Sequence, residues 1–437
     1  MRLSRRSVLA AGAAAPFLLG RSAHAQDPIA SAAPRGWVEG PLGGEGGALV
    51  RVTTLAREGE GSLDAALRME GPRIIVFEVG GVLNLEGESL AIRDPHVTIA
   101  GETAPGPGIT LIGGGLRILT RHVHVRHLMV RPGDLGRAPE SGWEVDSLVC
   151  EREAADVVVE HCSLTWGTDE NLSVSGPRFA GETPDDWRAG TAKRITYAYN
   201  LVAEGLSHST HSKGEHSKGS LIHDNVQGVL LYRNLYLSNR ERNPLFKGGT
   251  MGAVVNNLVY NPGRRFLHYN LHAGEWEGKA YQLGRLAVVG NEFRAGPSTP
   301  EESVAIALGG EGPLSLYAAD NLCTAVSGAT APAPFGRFGS GEAPLTEEET
   351  PSAWPQGLDV CAAAETAAQV LPSAGARPWA RHAIDARLVA EVLESRGRVI
   401  DSQSEVGGYP ADEAVYRAFD PAAWDLASGR PLRQRPI

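Results

Sequence analysis

ADVVVEHCSLTWGTDENLSVSG, residues 155–176, carries two short strand-forming runs on either side of a sharp corner. The β-branched run Val157-Val158-Val159 stops at Glu160-His161-Cys162. A second run follows from Ser163 to Trp166, and an acidic turn, Gly167-Thr168-Asp169-Glu170-Asn171, comes after it. The hydrophobic part recurs along the chain and the acidic turn does not, which marks this copy as the candidate functional one.

Seven units share an apolar run, a His or Asn corner and another apolar pair. They are VHVRHLMV (123–130), VVVEHCSL (157–164), ITYAYNLV (195–202), VLLYRNLY (229–236), AVVNNLVY (253–260), AVVGNEFR (287–294) and LSLYAADNLC (314–323). The corners are His127, His161, Asn200, Asn234, Asn257, Asn291 and Asn321, spaced by 34, 39, 34, 23, 34 and 30 residues. Periods of this size point to stacked repeats. A β-sandwich would alternate polar and apolar positions and turn more tightly. These near-continuous apolar runs predict an all-β chain, a right-handed parallel β-helix whose coils cover each other's apolar faces, with loops of varied length outside. Asparagines at one corner can chain amide to amide and tolerate a left-handed backbone.

Residues 26–75 are expected to begin and cap the solenoid, with Ser62 capping a short helix that ends at Arg68. The solenoid domain is read as 26–325, and 326–437 as an extension packed along it. Within the extension, 327–380 is rich in Pro, Ala and Gly and reads as loop. Ala383 to Ser395 has helical periodicity, with Ile384, Leu388, Val389, Val392 and Leu393 on one face.

Residues 1–25 stand apart. Ser4-Arg5-Arg6-Ser7-Val8-Leu9 is a twin-arginine signature, an apolar run of 13 residues follows from Val8 to Gly20, and Ala23-His24-Ala25 fits a cleavage site. That run is too short to span a bilayer, so the chain is expected to be exported folded, to the periplasm or out of the cell, with no membrane attachment after cleavage. Without residues 1–25 the chain has 37 basic and 51 acidic residues, net −14, which argues against nucleic acid as a partner. Cys150, Cys162, Cys323 and Cys361 would meet an oxidising compartment, where disulfides and buried free thiols are both open readings.

Two charged segments carry the chemistry. The first is acidic: Asp146, one coil before the acidic turn, then Asp169 and Glu170 in it, with Ser173 four residues after Asp169. Stacking places Asp146 beside that turn, and clustered carboxylates with hydroxyls and water suit Ca²⁺. The second is basic. Between Lys213 and Lys247, Lys213, Lys218, Arg233, Arg240, Arg242 and Lys247 stand against Glu215, Asp224 and Glu241, net +3 in an acidic chain. A cationic strip beside an acidic pocket suits a polyanionic substrate partly bridged by metal. Arg233, next to a corner Asn, is read as structural.

VVVEHCSLTWGTDENLSV resembles the polysaccharide lyase family 1 pectate lyase motif of a hydrophobic run with Asp-His and a Ca²⁺-binding Asp loop. HSKGSLIHD (216–224) resembles that family's His-x-Lys segment, Arg242-Asn243-Pro244-Leu245-Phe246-Lys247 its Arg-x-Pro-x-x-Arg motif, and Asn256-Asn257-Leu258-Val259-Tyr260 the Asn-Asn strand after it. The resemblance covers roughly 70–325, and the twin-arginine signal with DSQSEVGGYP (401–410) resembles a bacterial branch of such lyases. It implies Ca²⁺-dependent β-elimination on an acidic polysaccharide, polygalacturonate, by a monomer. It also implies roles: Asp146 and Asp169 as Ca²⁺ ligands, Arg242 as the base that takes the C5 proton, Lys218 on the substrate carboxylate and Lys247 in support. Lys213 is a second candidate for the cleft lysine, and Arg240 joins it as a substrate-binding candidate. The chain departs from the family where Ser173 stands for the second loop Asp, for which Glu170 would substitute, and where Lys247 and Glu160 replace Arg and Asp. An arginine base is demanding, since a neutral guanidine at pH 9 costs roughly 5 kcal/mol from an unperturbed pKa of about 12.5; nearby Ca²⁺ and lysines are expected to lower it. A β-helical glycoside hydrolase and a non-catalytic glycan-binding solenoid are the alternative readings.

Overall fold

The computed structural model describes residues 33–432, so the expected export signal at 1–25 lies outside the described residues. These residues wind into a parallel β-helix of three sheets, with eleven, nine and ten strands among those described. Each sequence unit is a first-sheet strand, a corner and a third-sheet strand: Ala155–Glu160 then Ser163–Thr165, Lys193–Ala198 then Leu201–Ala203, Gln227–Tyr232 then Leu235–Leu237. The second sheet comes from shorter strands between the units, among them Leu148–Cys150, Leu172–Val174, Leu221–Ile222 and Leu245–Lys247.

The apolar runs are continuous because both faces of the strands are covered. Val157, Val159, Ile195, Tyr197, Val229 and Leu231 point into the coil interior. The outward Tyr199, Leu230, Tyr232 and Val255 lie under Ala33, Trp37, Trp354 and Leu358. At the start, Ser62 Oγ accepts from Ala65 N at 3.1 Å and caps the helix Leu63–Arg68, as the sequence predicts, with Leu63, Ala66 and Leu67 buried.

The amide ladder exists, with a one-residue offset in its first units. Glu160 pairs with Ala198, so Cys162, not His161, is level with Asn200. Asn200 Nδ2 donates to Asn234 Oδ1 at 3.1 Å, Asn234 to Asn257 at 2.9 Å, Asn257 to Asn291 at 3.0 Å and Asn291 to Asn321 at 3.0 Å, all within the core. The left-handed residue is the one before the ladder position: Tyr199, Arg233, Asn256, Gly290 and Asp320 before the five ladder Asn, and His127 and His161 before Leu128 and Cys162 at the same level, with φ between +47° and +68°. His127, His161 and Tyr199 stack their rings there, at 5.0 and 4.8 Å. The division has a physical cause. At the bend the backbone leaves both sheets, and the inward amide satisfies it: Asn200 accepts from Cys162 N at 2.9 Å and donates to Val159 O at 3.0 Å. A side chain that does this follows the left-handed residue.

Asn257→Ala tests the ladder. It strands the buried Asn234 N–H and Leu231 O, which Asn257 now bonds at 2.9 Å each. At about 1–3 kcal/mol per orphaned buried group, the expected loss is about 3 kcal/mol in the urea midpoint. A loss below about 1 kcal/mol would make the ladder decorative.

Past Asn321 the sheets continue. Ala333–Arg337 and Leu345–Glu347 add strands to the second and first sheets, and Ala363–Ser373 is helical, so 327–380 is only partly the loop its composition suggests and the solenoid runs beyond 325. The helix Ala383–Leu393 and its predecessor lay Val370, Ala374, Leu388 and Val392 on the outer face of the third sheet. Leu393, expected on that face, is 68% exposed; the helix ends there. Val415–Tyr416 then returns to pair antiparallel with Val79 and Gly80. All four cysteines are free, with Cys150 and Cys162 buried and their thiols pushed up to about 12 by burial. Among the described residues no helix is long and apolar enough to cross a membrane.

Candidate functional site

The site forms where the chain leaves the third sheet and enters the second. Bridges align Glu170 with Lys218 and Lys218 with Glu241 on successive coils. Asp146 lies one coil below, its Oδ1 accepting from Glu170 N at 3.0 Å. Arg265 Nη1 reaches Glu241 Oε2 at 2.6 Å from beyond. The order of charges along this line is Asp, Glu, Lys, Glu, Arg, with the acids doubled at one end.

Asp146, Asp169 and Glu170 each bring a carboxylate oxygen within 4.8 Å of the others. Burial, and then Glu170 and Asp169, push the Asp146 pKa well above its ordinary value. Burial and Asp169 raise Glu170 to about 7, against the opposing pull of Arg242. Burial is the larger cause of both shifts, and the like charges of the neighbouring carboxylates add to it. Hard oxygen donors in that state fit Ca²⁺. Ser173, opposite Val149 in the second sheet, is buried, and its hydroxyl makes no hydrogen bond within the chain.

Arg242 follows Glu241 at φ +62° and forms an ion pair with Glu170 Oε1. Burial alone would lower its pKa, but Glu170, Glu241 and Asp169 outweigh that and raise it. The lowering expected from Ca²⁺ and lysines together is not produced by the chain's own residues: the acids dominate, and Lys218 is paired with Glu241 at 2.5 Å. Burial lowers the Lys218 pKa against the pull of Glu241. The other cations are largely paired too. Arg240 bonds Glu215 at 2.5 Å, and Lys247 meets Glu275 and lies 3.3 Å from Asp224. Lys213 is exposed on the loop. Arg233 turns away from this line to Asp359 at 2.9 Å, as its structural reading requires.

Two residues at the site were missed from sequence. His216 Nε2 lies 2.8 Å and His211 Nε2 3.5 Å from Asp169 Oδ1. Burial alone would raise Asp169, but hydrogen bonds from these histidines hold it below the usual carboxylate range. Burial lowers His216 to about 4. The available signal was compositional: three of the chain's 13 histidines fall at 208, 211 and 216.

Buried amides set the loop's shape. Asn171 Nδ2 donates to Asn239 Oδ1 at 2.9 Å and Asn239 Nδ2 to Asn243 Oδ1 at 3.1 Å, while Asn171 Oδ1 accepts from Gly167 N at 2.8 Å. The C-terminal segment holds the histidine loop from outside: Ser207 N donates to Ile400 O at 2.8 Å and His208 N to Asp401 Oδ1 at 2.9 Å.

No family model matches the chain. Over 401 residues it is 30% identical to a protein of Neosartorya fischeri named probable pectate lyase C, covering 90% of this chain and 85% of that one. Over 259 residues it is 37% identical to the probable pectate lyase C of Emericella nidulans, covering 59% of this chain and 51% of that one. The chain thus spans about half the length of the first curated relatives it matches. The crystal structure of jun a 1, the major allergen from cedar pollen, superimposes with a TM-score of 0.52 at 16% identity, over 76% of this chain and 90% of that one, a likeness of fold.

Proposed function

The chain belongs to the pectate lyase family of these fungal relatives, and from that premise we propose that it cleaves polygalacturonate by Ca²⁺-dependent β-elimination. The observation that carries the reading is the single line of corners that sets Asp146, Asp169 and Glu170 against Arg242 and Lys218.

In this reading Asp146, Asp169 and Glu170 hold the ion, with Ser173 beside Asp146. Ca²⁺ bound there would neutralise the uronate carboxylate and so acidify the C5 proton. Arg242 accepts that proton at its guanidine nitrogen. Glu170 has two possible uses, as the partner of Arg242 or as an oxygen ligand, and only the second leaves Arg242 free to lose its own proton. Lys218, with Glu241 and Arg265 fixing it, faces the substrate carboxylate; Lys213 and Arg240 extend the cationic side along the polymer, and Lys247 supports the strand after Arg242. Residues 1–25 are proposed as a twin-arginine export signal, in keeping with a polymer substrate outside the cytoplasm, and the working unit as a monomer.

The deciding experiment is ultraviolet absorbance of polygalacturonate digests with and without chelator. A C4–C5 double bond that appears only with Ca²⁺ is expected; reducing ends without that absorbance would mean hydrolysis.

Asp146→Ala and Asp169→Ala are each expected to weaken Ca²⁺ binding at least tenfold, about 1.4 kcal/mol, in calorimetric titrations. Unchanged binding in both would remove the assignment. The pKa directions add a pH signature. Glu170, raised to about 7, contributes stability that is full below its unfolded value and is lost as pH rises through 7. The chelated protein should therefore melt lower at pH 8 than at pH 6 from this group. Ca²⁺ should reverse that trend, with proton release on binding near pH 7.

A further inference from the structure

Asp169 is approached from two sides by different donor types. On one side stand the carboxylates of Asp146 and Glu170; on the other stand two imidazoles from a single loop. His211 and His216 are 2% and 5% exposed, and their rings lie face to face with centroids 3.6 Å apart and planes 12° from parallel. One hydrogen bond from His216 would suffice to orient Asp169. A second imidazole stacked directly on the first adds a contact that aromatic rings avoid in favour of offset or edge-on arrangements. The loop nevertheless imposes it. Thr210 Oγ1 donates to Trp143 O at 2.6 Å, Glu140 N donates to Ser209 O and Gly142 N to Thr210 O at 2.9 Å each, and Ser207 is tied to Ile400.

The spacing matches a coordination shell. Metal–nitrogen bonds of about 2.0–2.1 Å at octahedral or tetrahedral angles place neighbouring donors about 2.8–3.4 Å apart. The two Nε2 atoms lie 2.8 and 3.5 Å from Asp169 Oδ1, and the three donors fall within 4.8 Å of one another. We propose that Asp169, His211 and His216 form a second metal site, one that takes a divalent transition ion such as Zn²⁺ or Co²⁺. Imidazole nitrogen suits these ions, whereas Ca²⁺ prefers oxygen alone. Asp169 belongs to both sites, so occupation of one draws on a ligand of the other.

The protons balance within the loop. His211 Nδ1 accepts from Lys213 N at 3.1 Å, which leaves its ring proton on Nε2. Ligation through Nε2 requires that proton to go to Nδ1, and His216, whose Nε2–H donates to Asp169 Oδ1 at 2.8 Å, must likewise move its ring proton to Nδ1. Glu144 Oε1 lies 3.6 Å from His211 Nδ1 and takes the hydrogen bond, while the Lys213 N–H turns away. A carboxylate behind a ligating histidine is the usual support for such a ligand. Nothing in the site is oxidised or reduced.

The test uses the full chain stripped with chelator and titrated with Co²⁺. The wild type should develop visible ligand-field bands unlike those of the hydrated ion, and its proton spectrum should show two shifted exchangeable imidazole signals. His211→Asn with His216→Asn should lose both signals and weaken Co²⁺ binding at least tenfold, with circular dichroism unchanged. Glu144→Gln should weaken it several-fold. Wild-type Co²⁺ spectra without shifted imidazole signals would overturn the proposal whatever the variants do, as would a double variant that binds Co²⁺ as the wild type does. A parallel Ca²⁺ titration keeps this result separate from the lyase reading. Histidine-dependent Co²⁺ binding without any Ca²⁺ binding supports this site and sinks that reading, and the reverse result does the opposite.

Discussion

Arg242→Lys is expected to lower kcat on polygalacturonate by about 10²–10⁴-fold, the usual contribution of a positioned base, while KM and Ca²⁺ affinity stay within a few fold. Lysine keeps the positive charge that Glu170 pairs with, so the ground state changes little. It loses the planar fork and the reach, so the group that accepts the C5 proton is displaced only where the transition state needs it. Lys218→Ala should behave differently and raise KM as well, because it removes a cation that faces the carboxylate throughout the reaction and leaves Glu241 to Arg265. The acids around Arg242 raise its pKa, so the wild-type rate should climb from neutral into alkaline pH as the neutral guanidine becomes accessible. Near wild-type kcat in Arg242→Lys would exclude it as the base and move the search to Lys213 or Lys218.

Asp385→Ala is expected to cost about 3–5 kcal/mol, the range for breaking a buried ion pair from one side. Asp385 and Arg131 are both fully buried, 2.6 Å apart, with Ser163 Oγ donating to the second carboxylate oxygen at 2.5 Å. Removal of the carboxylate leaves a guanidinium in the interior with Thr165 Oγ1, at 2.8 Å, as its side-chain acceptor. Replacing both partners with apolar residues should cost less than removing one, since no charge is then stranded. The urea midpoint at unchanged m value measures both. A loss under about 1 kcal/mol would mean that the C-terminal helix is held by its apolar face alone. The pair also matters for the site, because the helix it anchors leads into Ile400 and Asp401, which bond the histidine loop.

The acidic and cationic groups illustrate how far a one-dimensional reading reaches. Asp146 and Glu170 were legible as neighbours because strands Leu148–Cys150 and Leu172–Val174 stack in register, a consequence of the repeat. Who pairs with whom was not. Lys218 and Arg242 read alike in sequence as cations of one strip, yet one faces Glu241 and the other Glu170. Glu241 and Arg242 are adjacent in the chain, and the left-handed bend at Arg242 decides their directions.

By itself the sequence determined the coil. Continuous β-branched runs with a recurrent corner Asn can satisfy neither an alternating sandwich nor an isolated strand, so the stacked parallel sheets and the buried amide chain from Asn200 to Asn321 followed from local pattern and backbone accounting. Only the tertiary structure decided the one-residue offset that puts rings rather than amides at His127 and His161, the docking of Asp385 on Arg131, and the meeting of His211 and His216 with Asp169. The reason is the same in each case. These contacts join residues whose separation along the chain is set by inserted loops, and a loop's length says that it leaves the coil without saying where its side chains return.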